Sequence, residues 1–94
     1  MLQEKEEELV RIGDEAEILL RNDAFNTTVN QLVDASFQAF VNSEPTDSEG
    51  RERSYAHYRA LVDIVSTLQQ RVTVRDEIHL READNNHQEE QTGP

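Results

Sequence analysis

The chain has 94 residues, no cysteine, 35% hydrophobic and 31% charged residues, and a net charge of −11. That describes one small domain, lean in apolar material, without disulfides or thiolate metal ligands, and repelled by nucleic acid and by anionic membrane surfaces. A chain of this size buries only about two-thirds of its unfolded surface, so oligomerisation is a natural source of further apolar contact.

The acidity is spread unevenly. Residues 1–22 carry a net charge of −4, residues 23–50 five acids and no base, and residues 51–94 a net −2. Acidity of this kind keeps a helical protein soluble, and it also suits a basic protein partner or the imitation of nucleic acid in front of one. No apolar run approaches the roughly 18 residues of a membrane span. The opening "MLQEKEEELV" lacks a signal peptide's basic and apolar regions, so the expected product is soluble, made in the cytoplasm and without a membrane partner.

Residues 3–21 are predicted to be helical. Leu9, Ile12, Ala16, Leu19 and Leu20 fall on one side at the helical period. Glu4, Glu6, Glu7 and Glu8 sit where the positive end of the helix dipole favours acids, and Gly13 is a weak spot costing roughly 1 kcal/mol against alanine. A second helix over 24–42 uses Phe25, Val29, Leu32, Val33 and Phe40, with Phe37 at the margin. Its stripe lies roughly 130° around from the first if one helix is counted straight through, so a break is expected at "RNDA", capped by Asn22 or Asp23. One bent helix over 1–42 is the alternative.

Pro45 ends the second helix, because it disfavours helical backbone at Glu44. Thr46 and Glu49 have the spacing of a capping box; Gly50, unexpected in the first turns, points to Ser48 as the alternative start. The third helix is expected over 48–72 or longer. Tyr58, Leu61, Val65, Leu68 and Val72 alternate by three and four, forming an a/d seam widened by Tyr55 and Val62. There the seam ends: Arg75 takes the next apolar slot, and Val74 and Ile78 point elsewhere. From residue 84 to residue 94 no apolar side chain occurs, and this stretch reads as a flexible polar tail after a single helical domain over 1–83.

The fold class is therefore all-α. Helices two and three form an antiparallel hairpin, and the N-terminal helix packs on it or reaches to a neighbouring copy. Arg51, Arg53 and Arg59 open the third helix opposite an acidic second helix. They are expected near Glu44, Asp34 or a neighbouring subunit's acids, setting orientation more than stability. Tyr55 and Tyr58 share a helix face and stack toward Phe37 and Phe40.

Nothing in the sequence assembles catalytic chemistry. His57, His79 and His87 form no HExxH spacing, and Gly13, Gly50 and Gly93 form no phosphate loop. "DSEG" at 47–50 lacks the alternating oxygen ligands of a calcium loop. The expectation is a non-enzymatic protein without cofactor or metal. Leu9, Ile12, Leu19, Arg51, Arg53, Tyr55, Tyr58, Leu61, Val65, Leu68 and Val72 are the candidate interface residues.

Across residues 19–70, "LLRNDAFNTTVNQL" followed by "NSEPTDSEGRERSYAHYRALVDIVSTLQ" resembles small helical proteins of tailed phages and prophages. The likeness lies in a Leu-Leu start followed by Phe, a Pro-x-Asp loop, and Arg51-Glu52 ahead of an aromatic, leucine-bearing helix. It implies a head or packaging gene neighbourhood. The expected role is a virion or morphogenesis component that packs on itself as a homo-oligomer or on a larger virion or packaging protein, in the virion or the host cytoplasm. The alternatives are an acidic inhibitor that mimics nucleic acid before a basic host protein, and a small packaging-terminase subunit.

Overall fold

The computed structural model describes residues 2–92, with side chains described through residue 86. Three helices account for the described fold: α1 (Glu4–Leu20), α2 (Asp23–Val41) and α3 (Ser48–Thr92). They form two compact units. In the first, α1 as far as Ile18 packs with α3 from Leu68 onward; the second comprises Leu19–Thr67, which is α2 with the first part of α3. α3 is common to both.

Residues 1–42 form two helices, with a joint at Arg21 and Asn22. Asn22 is the cap. Its side-chain oxygen accepts a hydrogen bond from the Phe25 N–H at 2.8 Å, satisfying one of the donors that a helix start leaves unpaired. From the other side, the Asn26 amide donates to the Leu20 carbonyl at 2.7 Å, so the end of α1 is also closed. α2 stops at Asn42, whose N–H still reaches Gln38 O at 2.9 Å, and the Ser43 hydroxyl donates to Phe40 O. Pro45 follows two residues later and prevents continuation.

α3 begins at Ser48, and its cap is Asp47, not Thr46. Asp47 Oδ1 accepts from the Gly50 N–H at 3.0 Å. A carboxylate serves here better than a hydroxyl because it adds a full negative charge at the positive end of the dipole. The same geometry explains Gly50. A Cβ at that position would run into the Asp47 carboxylate.

The third helix takes the longer of the courses left open for it, running unbroken past Val72, and the stretch from Asp84, expected to be a flexible tail, is helical as far as Thr92. Gly93 and Pro94 lie outside the described residues. The absence of apolar side chains in 84–92 bears on packing, not on backbone conformation. No Gly or Pro occurs between Arg51 and Thr92, and extending an existing helix avoids the cost of nucleating one.

The cap assignment has a direct test. Asp47→Ala should lower thermal stability by about 1 kcal/mol, whereas Thr46→Ala should change it by less than about 0.5 kcal/mol. Thermal unfolding followed by circular dichroism compares the two, and the reverse order would return the cap to Thr46.

Candidate interaction site

α1 and the second part of α3 run antiparallel, as their cross-helix pairs show. Glu6 pairs with Arg81 at 3.5 Å, while Asp14 and Glu17 both pair with Arg75. Along α1, Glu6, Leu9, Gly13, Ala16 and Leu20 are buried or half-buried at alternating spacings of three and four, with Leu2 in the same register just ahead of the helix and Val10, Ile12 and Glu17 half-buried beside them. That is a heptad seam with its two smallest residues in the middle. Facing it on α3, Leu68 and Ile78 are buried and Val72 half-buried. Ile78, expected to point away, is the most completely covered large side chain, 2% exposed.

The centre of this seam is Arg75. Its side chain is only 11% exposed. Nη1 donates to Asp14 Oδ1 and to Glu17 Oε2, each at 3.0 Å, and Nη2 reaches Glu17 Oε1 at 3.4 Å. Nε and Nη2 close on Asp76 Oδ1 at 3.1 and 2.9 Å. These bonds hold the guanidinium still more firmly protonated than usual, Glu17 contributing most, then Asp76 and Asp14. The carboxylates keep their outer sides toward water, since Asp14 and Asp76 remain more than half exposed. Arg75 thus covers the seam with its aliphatic stem while its head stays among charges.

That arrangement needs Gly13. A Cβ there would lie 2.5 Å from Arg75 Cβ and 2.8 Å from the Arg71 carbonyl oxygen. The glycine expected as a weak spot is therefore the point of closest approach between the two helices. Both the Arg in an apolar slot and the Gly in a helix interior were visible as irregularities. Each accounts for the other only once the helices are paired.

A second ion cluster, on the outer side of α1, is local. Arg11 pairs with Glu8 and, at 2.7 Å, with Glu15, one turn away on either side. The hydrogen bond from Arg11 lowers the Glu8 pKa against a small opposing effect of desolvation. All three side chains are exposed, and the cluster supports helix α1 rather than a site.

In the unit formed by α2 and the first part of α3, the packing is looser. Leu61, Val65 and Tyr58 are half-buried, so this seam is spent largely within the chain. Phe40 and Tyr55 meet with ring centroids 6.5 Å apart at a 52° tilt, and the Arg51 guanidinium lies 5.5 Å from the Phe40 centroid. Of the expected stacking of Tyr55 and Tyr58 toward Phe37 and Phe40, this is the ring pair found, beside the loop that joins the two helices and with a cation over one face. Arg51 therefore leans on Phe40, and Arg59 pairs with Asp63 at 3.3 Å within α3. Neither makes the expected pair with Glu44 or Asp34. Arg53 is exposed.

The remaining candidates divide by burial. Leu9, Ile12 and Val72 are half-buried and Leu68 buried, whereas Leu19 and Tyr55 are exposed. The sequence pattern assigned too little to α2. None of its residues is buried, and Leu32, Phe37, Phe40 and Val41 are exposed apolar side chains. A stripe in the sequence shows that a helix has an apolar side, but not whether that side is covered.

Among the described residues, no group of three or more His, Cys, Asp or Glu is placed to hold a metal ion, and no helix is long and apolar enough to cross a membrane. No family model, curated protein or solved structure matches the chain.

The Gly13–Arg75 approach makes a prediction whose sign is informative. In an isolated helix Gly→Ala stabilises by about 1 kcal/mol. Here Gly13→Ala should instead destabilise, by about 1–3 kcal/mol of overpacking less that propensity gain. A raised melting temperature would mean that α1 is not held this close to α3.

Proposed function

We propose that the chain is a non-enzymatic assembly component, a small helical protein that works by packing helix faces on copies of itself or on a larger virion or packaging protein. One observation carries the reading. The buried hydrophobic residues among those described are Ala16, Leu68 and Ile78, all in the α1-containing unit. The other unit contains the least charged helix and has no buried hydrophobic residue. A protein that leaves its most apolar helix uncovered has the makings of a binding module, because that side loses water only on association.

The chemistry agrees with this reading. The displaced acidities of Glu8, Arg11 and Arg75 come from ion pairs that join or support helices, which accounts for these shifts without a catalytic role. Arg11, Arg59, Arg75 and Arg81 are each tied to a carboxylate of the same chain. With 20 acidic against 9 basic residues, the chain as a whole repels a phosphate backbone. The likeness of residues 19–70 to small helical proteins of tailed phages supplies the proposed context of head assembly or packaging.

Mass spectrometry of purified immature and mature particles from the source tests the proposal. The chain should be present in at least one of them at a reproducible copy number. Absence from both would overturn the reading. Binding of double-stranded DNA at physiological salt would instead favour a terminase subunit. Displacement of a host nuclease or polymerase from DNA would favour an acidic mimic.

A further inference from the structure

α2 is unusual in this acidic chain. Only Asp23 and Asp34 are charged along it, and from residue 35 to residue 43 there is no charge at all. Phe37, Phe40 and Val41 follow at spacings of three and four, so they are neighbours on one side of the helix. Phe37 is 52% and Val41 56% exposed. Tyr55 of α3 continues the same surface through its ring contact with Phe40. Beside that pair opens a shallow groove of about 300 Å³, lined by Phe40, Ser48, Arg51, Glu52 and Tyr55.

We propose that this surface, Phe37, Phe40, Val41 and Tyr55 with Arg51 and Glu52 at its edge, is where a second copy of the chain docks, one α2-bearing unit against another about a two-fold axis. The inference deepens the assembly reading and rests on it.

Charge selects the occupant. A chain with a net charge of −11 repels its own kind wherever its acids face each other. This patch is the exception. Its apolar centre is uncharged, and its edge carries one cation and one anion, adjacent in sequence. A two-fold axis brings Arg51 of one copy toward Glu52 of the partner subunit, and the reverse, so the patch is complementary to itself. A strongly basic partner would be drawn to the acids of α1 rather than to a neutral surface. A strongly acidic partner would be repelled by the net charge of −11 and would meet Glu52 beside Arg51.

Size is consistent with the same occupant. A helix of 19 residues is about 28 Å long, and two helices side by side are about 20 Å wide. Their product is about 560 Å², below the about 800 Å² per partner of a standard interface and in the range of weak, concentration-dependent pairing. Exposed Ile18 and Leu80 belong to the other unit and stand as controls.

The test is sedimentation of the full purified chain at physiological salt, from about 1 µM to about 100 µM, where mass action reveals pairing. The wild type should shift from monomer to dimer within that range. Phe37→Glu with Val41→Glu should weaken pairing at least about tenfold, as expected for central apolar contacts. Ile18→Glu and Leu80→Glu should leave it unchanged.

Charge variants at the edge keep the inference falsifiable should the double variant unfold. Arg51→Glu and Glu52→Arg chains should each pair poorly alone and pair with each other when mixed. A wild type that stays monomeric throughout, or pairing lost in Leu80→Glu and kept in the Phe37/Val41 variant, would overturn the inference. A monomer that is nevertheless found in particles would defeat only the self-docking surface and leave the assembly reading intact.

Discussion

Arg75 occupies a position in the α3 seam where a hydrophobic residue would be expected, and the packing of α1 depends on how that charge is accommodated. Two conditions have to hold together. The stem must find apolar cover, and the guanidinium must find anions without losing water entirely. Gly13 meets the first by letting the helices approach until a single added carbon would collide with Arg75 and with the backbone of Arg71. Asp14 and Glu17, on the same turn of α1 as that glycine, meet the second together with Asp76. A charge that is paired on several sides and still wet at its rim avoids most of the penalty of a buried ion. The geometry also specifies register, because sliding α1 by a turn would remove Gly13 from Arg75 and separate the acids from their cation.

That specification is confined to one unit. Where α1 meets α3, small residues and a charge clasp hold the helices close, and Leu68 and Ile78 are fully covered. Where α2 meets α3, contacts are made by aromatic rings and half-buried aliphatic side chains, and a large share of the apolar surface faces outward. The contrast follows from how closely the helices approach: Gly13 and Ala16 let α1 close on α3, whereas α2 has no buried residue and leaves Leu32, Phe37, Phe40 and Val41 exposed. The more apolar helix is the less covered one, and that observation underlies the proposed association.

The helix boundaries show how much local chemistry can be read without a fold. Asn22, placed between two stripes of different phase, was legible with Asp23 as one of two candidate caps of α2, because capping is a contact within four residues, and the structure selects Asn22. The start of α3 was less legible. Thr46, Asp47 and Ser48 are all capping residues in a row, and the choice among them falls to the geometry that Pro45 imposes on the turn. Gly50 lies against the Asp47 carboxylate, whose side chain would have to shift to admit a Cβ there.

The linear pattern was enough to establish an all-helical chain, the break near Asn22, the apolar stripes and the seam from Tyr58 to Val72. Each depends on contacts within one or two turns or on the 3.6-residue period. It was not enough to show that the seam runs on through Arg75 to Ile78, that Gly13 is a contact point, or that α2 is the helix left uncovered. Those depend on which side chains meet across about 60 residues of sequence, as Asp14 and Arg75 do. A lone arginine in an apolar slot ends a seam when judged by its own helix. It continues one when a glycine and two acids arrive opposite, and only the tertiary pairing of α1 with α3 supplies them.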